Sequence, residues 1–138
     1  MIGIVIVAHG TLATALLEAT VHVVGALPNA RTVAIQPADD LRERQAEIAE
    51  IVAETDTGSG VVLITDMFGG TPSNLALSCM QGPGVEVICG ANLPLLVKLA
   101  KSRDRPLAEA VTAAVDAGHK YISSATGLLE PGGREQAR

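Results

Sequence analysis

Two apolar runs in this chain end in side chains that could do chemistry together: IVIVA leads into His9, and VVLIT leads into Asp66. A carboxylate beside an imidazole accepts the N–H of one ring nitrogen and so fixes the tautomer. The other nitrogen then presents its lone pair as a nucleophile or base. Just past Asp66, Gly69 and Gly70 let backbone approach closely, and the stretch from Thr71 to Asn74 opens a helix whose free N–H groups offer an anion site. Imidazole nucleophile, orienting carboxylate and anion-binding helix end together describe phosphoryl transfer through a phosphohistidine. Each piece also has a plainer reading: a histidine at the edge of a core, a turn aspartate, turn glycines at Gly10, Gly69 and Gly70, and Thr71 as a simple helix cap.

His9 and Asp66 are 57 positions apart, so only the fold can unite them. Residues 2–8 are continuously apolar rather than alternating, the pattern of a strand covered on both faces. From Thr11 to about Gly25, Leu12, Ala15, Leu16, Ala19 and Val23 recur at helical spacing, and Gly25 with Pro28 stops the pattern. A second strand is expected at 31–36. Asp39 or Asp40 then caps a long helix with Leu41, Ile48, Ile51, Val52 and Thr55 on one face and Arg42, Glu43, Glu47, Glu50 and Glu54 in solvent. A third strand at 61–65 precedes a helix with Thr71 at its cap and Pro72 at its first position, where the missing N–H costs nothing. A fourth strand at 85–90 leads to helices over 92–103 and 107–122, parted at Asp104 to Pro106.

Strands alternating with helices through right-handed crossovers predict a single doubly wound α/β domain on a mainly parallel sheet. The common order for such a chain, 2-1-3-4, puts the ligand crevice outside the carboxyl ends of the first and third strands, where His9 and Asp66 lie.

Composition bounds the rest. With 138 residues, 48% of them apolar, the chain fills one core, expected over 1–127, with a flexible polar tail at 128–138 that nothing follows. There is no Trp, one Phe and one Tyr, and the formal charge is -5, so nucleic acid is disfavoured as a partner. Cys79 and Cys89 sit in apolar runs without a third ligand at metal spacing, and read as buried thiols of a reducing compartment; no metal and no cofactor is expected. There is no basic leader, and no apolar run approaches the roughly 18 residues of a membrane span, so a soluble cytoplasmic protein is expected. His22 and His119 have no acidic or cysteine partner arranged around them and read as structural or surface residues.

At the chemically suggestive residues the chain resembles the enzyme IIA domain of the mannose-type phosphotransferase system, a sugar-uptake relay driven by phosphoenolpyruvate. AHG closes the first strand, TDMFGGTPSN is similar to the family's Asp followed by Gly-Gly-Ser/Thr-Pro-x-Asn, and GANLPLLVK is similar to its Gly-x-Asn-x-Pro-Met/Leu-Leu segment. The resemblance implies that His9 takes a phosphoryl group on Nε2 from the carrier HPr and hands it to an enzyme IIB, with Asp66 holding the other ring nitrogen. It implies phosphate contacts from Gly10, Gly70, Thr71 and Ser73, and a partner surface including Phe68, Asn92 and Pro94. It also implies a homodimer in which a C-terminal strand pairs across subunits, a strand that KYISSATGLL could supply, and it allows peripheral association with a membrane permease. Two departures stand out: the chain stops where relatives often continue into a IIB domain, and Ser73 replaces a residue that is often bulky in the family.

Three rivals are weighed. A histidine-class phosphatase or mutase usually wants an Arg just before the histidine, where this chain has Ala8. A non-catalytic anion-binding α/β module would need a glycine-rich loop after the first strand, where only HGT stands. A receiver domain phosphorylated on Asp66 would need an acidic pair near the first strand to hold Mg²⁺, and that strand end carries none.

Overall fold

The computed structural model describes residues 1–130. Their elements are β1 (Gly3–His9), α1 (Leu12–Val24), β2 (Ala30–Ile35), α2 (Leu41–Thr55), β3 (Val61–Thr65), α3 (Thr71–Ser78), β4 (Val85–Cys89), α4 (Leu93–Lys101), α5 (Leu107–Lys120) and α6 (Ala125–Leu129). The strands form one parallel sheet in the order β2-β1-β3-β4, as the alternation of elements predicts.

The continuous apolar run of β1 is explained by its two covered faces. Ile4 and Ile6, with Val62 and Ile64 of β3, pack under α1, α4 and α5 against Ala13, Leu95, Leu96, Leu99, Ala110 and Ala114. Val5 and Val7, with Val33, Ile35, Val61 and Leu63, pack under α2 and α3 against Ile48, Ile51, Val52, Leu75 and Ala76. Successive side chains of a strand point to opposite faces, so a central strand serves two cores and cannot alternate with polar residues. At the amino ends of the strands the buried Arg103 ties three segments together: its guanidinium nitrogens donate to the carbonyls of Ile2 (2.8 Å), Pro28 (2.6 Å) and Asn29 (2.9 Å).

Several local expectations are corrected. The buried stripe of α1 is Ala13 and Thr20, with Leu16 and Leu17 half-buried, while Leu12 and Val23 are exposed. The helix carries apolar residues on more than one face, and the sheet takes the face whose small Ala13 permits close approach; Thr20 satisfies its hydroxyl on the Leu16 carbonyl at 2.8 Å. Leu41 opens α2 beyond the sheet and is exposed. Asp40 is the cap of α2, accepting from the N–H groups of Arg42 (2.9 Å) and Glu43 (3.4 Å), while Asp39 closes the preceding turn by accepting from Gln36 N–H at 2.8 Å. Gly70, rather than Thr71, is the N-cap of α3, so Thr71 and Pro72 are both helical. Cys79 is buried, and burial pushes its thiol above the usual value; Cys89 is only half-buried.

KYISSATGLL, the segment that could supply a strand to a second subunit, carries no strand in the single chain. α5 ends at Lys120, and α6 follows, capped by the Ser124 hydroxyl accepting from Gly127 N–H at 3.0 Å. A strand with no neighbour leaves its backbone groups unpaired, whereas a capped helical turn satisfies them locally. The tail expected from 128 begins inside α6, and 131–138 lie outside the described residues.

Candidate functional site

β1 and β3 are adjacent and in register from Gly3 and Val61 to Val7 and Thr65, so their carboxyl ends deliver His9 and Asp66 to one crevice. His9 has the parity of Val5 and Val7, which places it on the α2/α3 side of the sheet. Its Nδ1 lies 2.7 Å from Asp66 Oδ2, and its own backbone N–H donates to the same oxygen at 3.1 Å. Asp66 Oδ1 accepts from Met67 N–H at 3.0 Å.

The carboxylate is largely covered, at 11% side-chain exposure, while the imidazole stands out at 51%. Burial works to raise the Asp66 pKa, but the hydrogen bonds from the His9 ring and backbone, the charge of a protonated ring and Asp66's own backbone N–H outweigh it; the carboxyl sits below its ordinary value. An ionised carboxylate can only accept, so Nδ1 carries the proton. In the neutral imidazole Nε2 is then the nitrogen with the free lone pair.

The other wall is the turn before α3. Gly69 has φ +90°, a conformation that favours glycine, and Gly70 faces the ring so closely that a Cβ there would sit 3.1 Å from Cε1 and 3.5 Å from Nε2. The N-terminus of α3, with its outward N–H groups and positive dipole end, therefore stands beside the open nitrogen. On the remaining side, Gly10 donates its N–H to the Ile35 carbonyl at 2.9 Å. A cleft of about 600 Å³ opens there, lined by His9, Gly10, Ile35, Gln36, Pro37, Asp39, Leu41 and Thr71. Among these residues there is neither Lys nor Arg.

This arrangement presents a nucleophilic nitrogen, a carboxylate that can stabilise the charge its ring gains, and backbone donors for an anion. Among the described residues no group of three or more His, Cys, Asp or Glu could hold a metal ion.

A family model, EIIA-man, the PTS system fructose IIA component, matches residues 3–116. The chain belongs to the EIIA-man family. The PTS system mannose-specific EIIAB component of Escherichia coli K12 is 30% identical over 126 residues, which are 89% of this chain and 39% of that protein. The chain thus spans about two-fifths of the length of that relative. The PTS system sorbose-specific EIIA component of Lacticaseibacillus casei is 30% identical over 98 residues, 70% of either chain. Among solved structures, the PTS IIA protein associated with the fucose utilization operon of Streptococcus pneumoniae superimposes with a TM-score of 0.79 at 30% identity, covering 93% of this chain and 96% of that one.

Within this EIIA-man chain the sequence-derived site residues separate into two groups. His9, Asp66, Gly10, Gly70 and Thr71 converge on the crevice. Phe68 stands in the same β3–α3 loop as Asp66 and Gly70 and is 76% exposed. Ser73 does not reach the crevice surface: it is buried, and its hydroxyl accepts from Gly69 N–H at 3.0 Å and donates to the Gly70 carbonyl at 2.9 Å. Asn92 is the cap of α4, accepting from Leu95 N–H and donating to the Gly118 carbonyl, each at 3.0 Å, so its amide is occupied within the fold. Pro94, in the first turn of α4, is half-buried. His22 and His119 are both exposed.

Gln36, Pro37, Asp39 and Leu41 line the cleft without any motif that marks them for it. Their signal was available in the strand order, because β2 flanks β1 and its carboxyl end must border His9 on the side away from Asp66.

Proposed function

We propose that this EIIA-man protein is a phosphocarrier of the phosphoenolpyruvate-dependent sugar phosphotransferase system, with His9 as its phosphoryl acceptor. The observation that carries the reading is the 2.7 Å contact of His9 Nδ1 with Asp66, which leaves Nε2 free beside the Gly70 end of α3. Nε2 attacks the phosphorus of a phosphohistidine on HPr; the new N–P bond forms as the donor's N–P bond breaks, and its electron pair returns to the donor imidazole. His9 keeps the Nδ1 proton, and the ring's gained positive charge is stabilised by Asp66. The same steps in reverse pass the group to a nucleophile on an enzyme IIB.

With no Lys or Arg lining the cleft, the phosphoryl oxygens would be held by backbone N–H groups and the Thr71 hydroxyl. Such modest ground-state binding suits a carrier that must release the group to the next protein. Partner docking is supported by the apolar side chains around the acceptor: Met67, Phe68, Leu12 and Leu41 are all exposed. Exposed Tyr121, Ile122 and Leu129 near the C-terminal end support a homodimer. Among the described residues no helix is long and apolar enough to cross a membrane, in keeping with a cytoplasmic carrier that meets a permease only at its surface.

Incubation with phosphoenolpyruvate, enzyme I and HPr should place an acid-labile phosphoryl group on the protein. The His9→Ala variant should take none, and persistent labelling of that variant would remove His9 from the mechanism.

A further inference from the structure

We propose that Ser73 is a positioning residue for phosphoryl transfer at His9, its hydroxyl locking the turn that aims the Thr71 N–H beside Nε2. This rests on the reading of His9 as the acceptor.

Ser73 is completely buried in the first turn of α3, so its hydroxyl meets neither solvent nor a docking protein. It is used twice within the turn, accepting from Gly69 N–H and donating to the Gly70 carbonyl. That carbonyl also accepts from Asn74 N–H at 3.1 Å, so it is held from two directions. The Gly70 carbonyl and the Thr71 N–H belong to one planar trans peptide and point opposite ways. Drawing the carbonyl into the helix therefore turns the Thr71 N–H outward from its N-terminus. Pro72 supplies no N–H, which makes the direction of the Thr71 peptide matter more at this end of α3.

The turn also sets the distance to the acceptor. Gly70 lies against the His9 ring, so a shift of the turn by a few tenths of an ångström changes the space at Nε2 directly. Serine donates and accepts from one short arm, and so holds both sides of the turn in this chain. Alanine would leave the Gly69 N–H unpaired and the Gly70 carbonyl held from one side only; cysteine would fill the space but bond weakly.

The test is rapid-quench transfer from phospho-HPr to wild type, Ser73→Cys and Ser73→Ala, with the amount of His9 that can be phosphorylated at the end-point used to count folded protein. The expected result is a kcat per competent molecule that falls in the order Ser, Cys, Ala, by about 10- to 100-fold at Ala, with KM for phospho-HPr unchanged. The Thr71 amide resonance should shift on phosphorylation in wild type and shift less in both variants. Wild-type kcat per competent molecule in either variant, or a loss carried by KM alone, would overturn the proposal. Where Ser73→Ala does not fold, the Cys variant decides on the same terms. A wild-type protein that accepts no phosphoryl group would instead overturn the reading of His9 on which this one stands.

Discussion

Gly70 lies so close against the imidazole of His9 that a side chain would press on it: a methyl group on its Cα would meet Cε1 at 3.1 Å and Nε2 at 3.5 Å. Its backbone is extended, at φ -89° and ψ 172°, so alanine would adopt it without strain. The cost of Gly70→Ala should therefore fall on the ring and not on the turn. We expect transfer to His9 to slow by about tenfold while the melting temperature changes little. Steady-state transfer assays and thermal unfolding check both; an unchanged rate would mean that the ring has freedom to move aside.

Asp66 links the site to pH. Its carboxyl is held below the ordinary value of 3.8 in the folded protein, so folding favours the ionised form. That contribution is fully present above the unfolded pKa of about 4 and is lost as pH falls through the lower folded value. Wild-type protein should consequently lose stability relative to Asp66→Asn as the pH drops below about 4, in parallel thermal melts. At neutral pH the same variant should stay folded and transfer roughly 100-fold more slowly, because a carboxamide stabilises the charged ring less and can hold the wrong tautomer.

The strand order and the meeting of His9 with Asp66 were legible in the sequence for a physical reason. A continuous apolar β1 demands helices on both faces, alternating elements demand crossovers, and the crossover rules leave few sheets to choose from. Helix phase was less legible. α1 offers apolar residues in several directions, and the choice of Ala13 and Thr20 over Leu12 and Val23 depends on how closely the helix approaches the sheet. Ser73 shows a different limit: the family resemblance puts it among the phosphate contacts, and only its burial reveals that its hydroxyl is spent on Gly69 and Gly70. The C-terminal segment carries β-prone Tyr121 and Ile122, yet in one chain it adds no strand to the sheet.

Phe68 is 76% exposed and belongs to the loop that carries Asp66 and Gly70. An aromatic side chain held in water adds little to stability, and beside the proposed transfer site it suits docking. Phe68→Ala should raise KM for phospho-HPr by about tenfold, equivalent to roughly 1.4 kcal/mol, with kcat and thermal stability retained. Titration of transfer rate against donor concentration separates these outcomes.

Arg103 provides a contrast at the opposite end of the sheet. Its guanidinium donates to the carbonyls of Ile2, Pro28 and Asn29, joining the start of β1, the α1–β2 loop and the α4–α5 loop. Arg103→Met should cost about 3 kcal/mol of stability by leaving those carbonyls short of donors. Denaturant unfolding measures the loss, and the folded fraction should transfer phosphoryl groups at the wild-type rate.

In the proposed function Asp66 holds Nδ1 and leaves Nε2 of His9 to take the phosphoryl group. Imidazole ¹⁵N and ³¹P NMR of the protein after incubation with phosphoenolpyruvate, enzyme I and HPr tests it most directly. A phosphorus resonance coupled to Nε2 of His9, with Nδ1 still protonated, is the predicted result. Phosphorus on Nδ1, on another residue, or on none would contradict it.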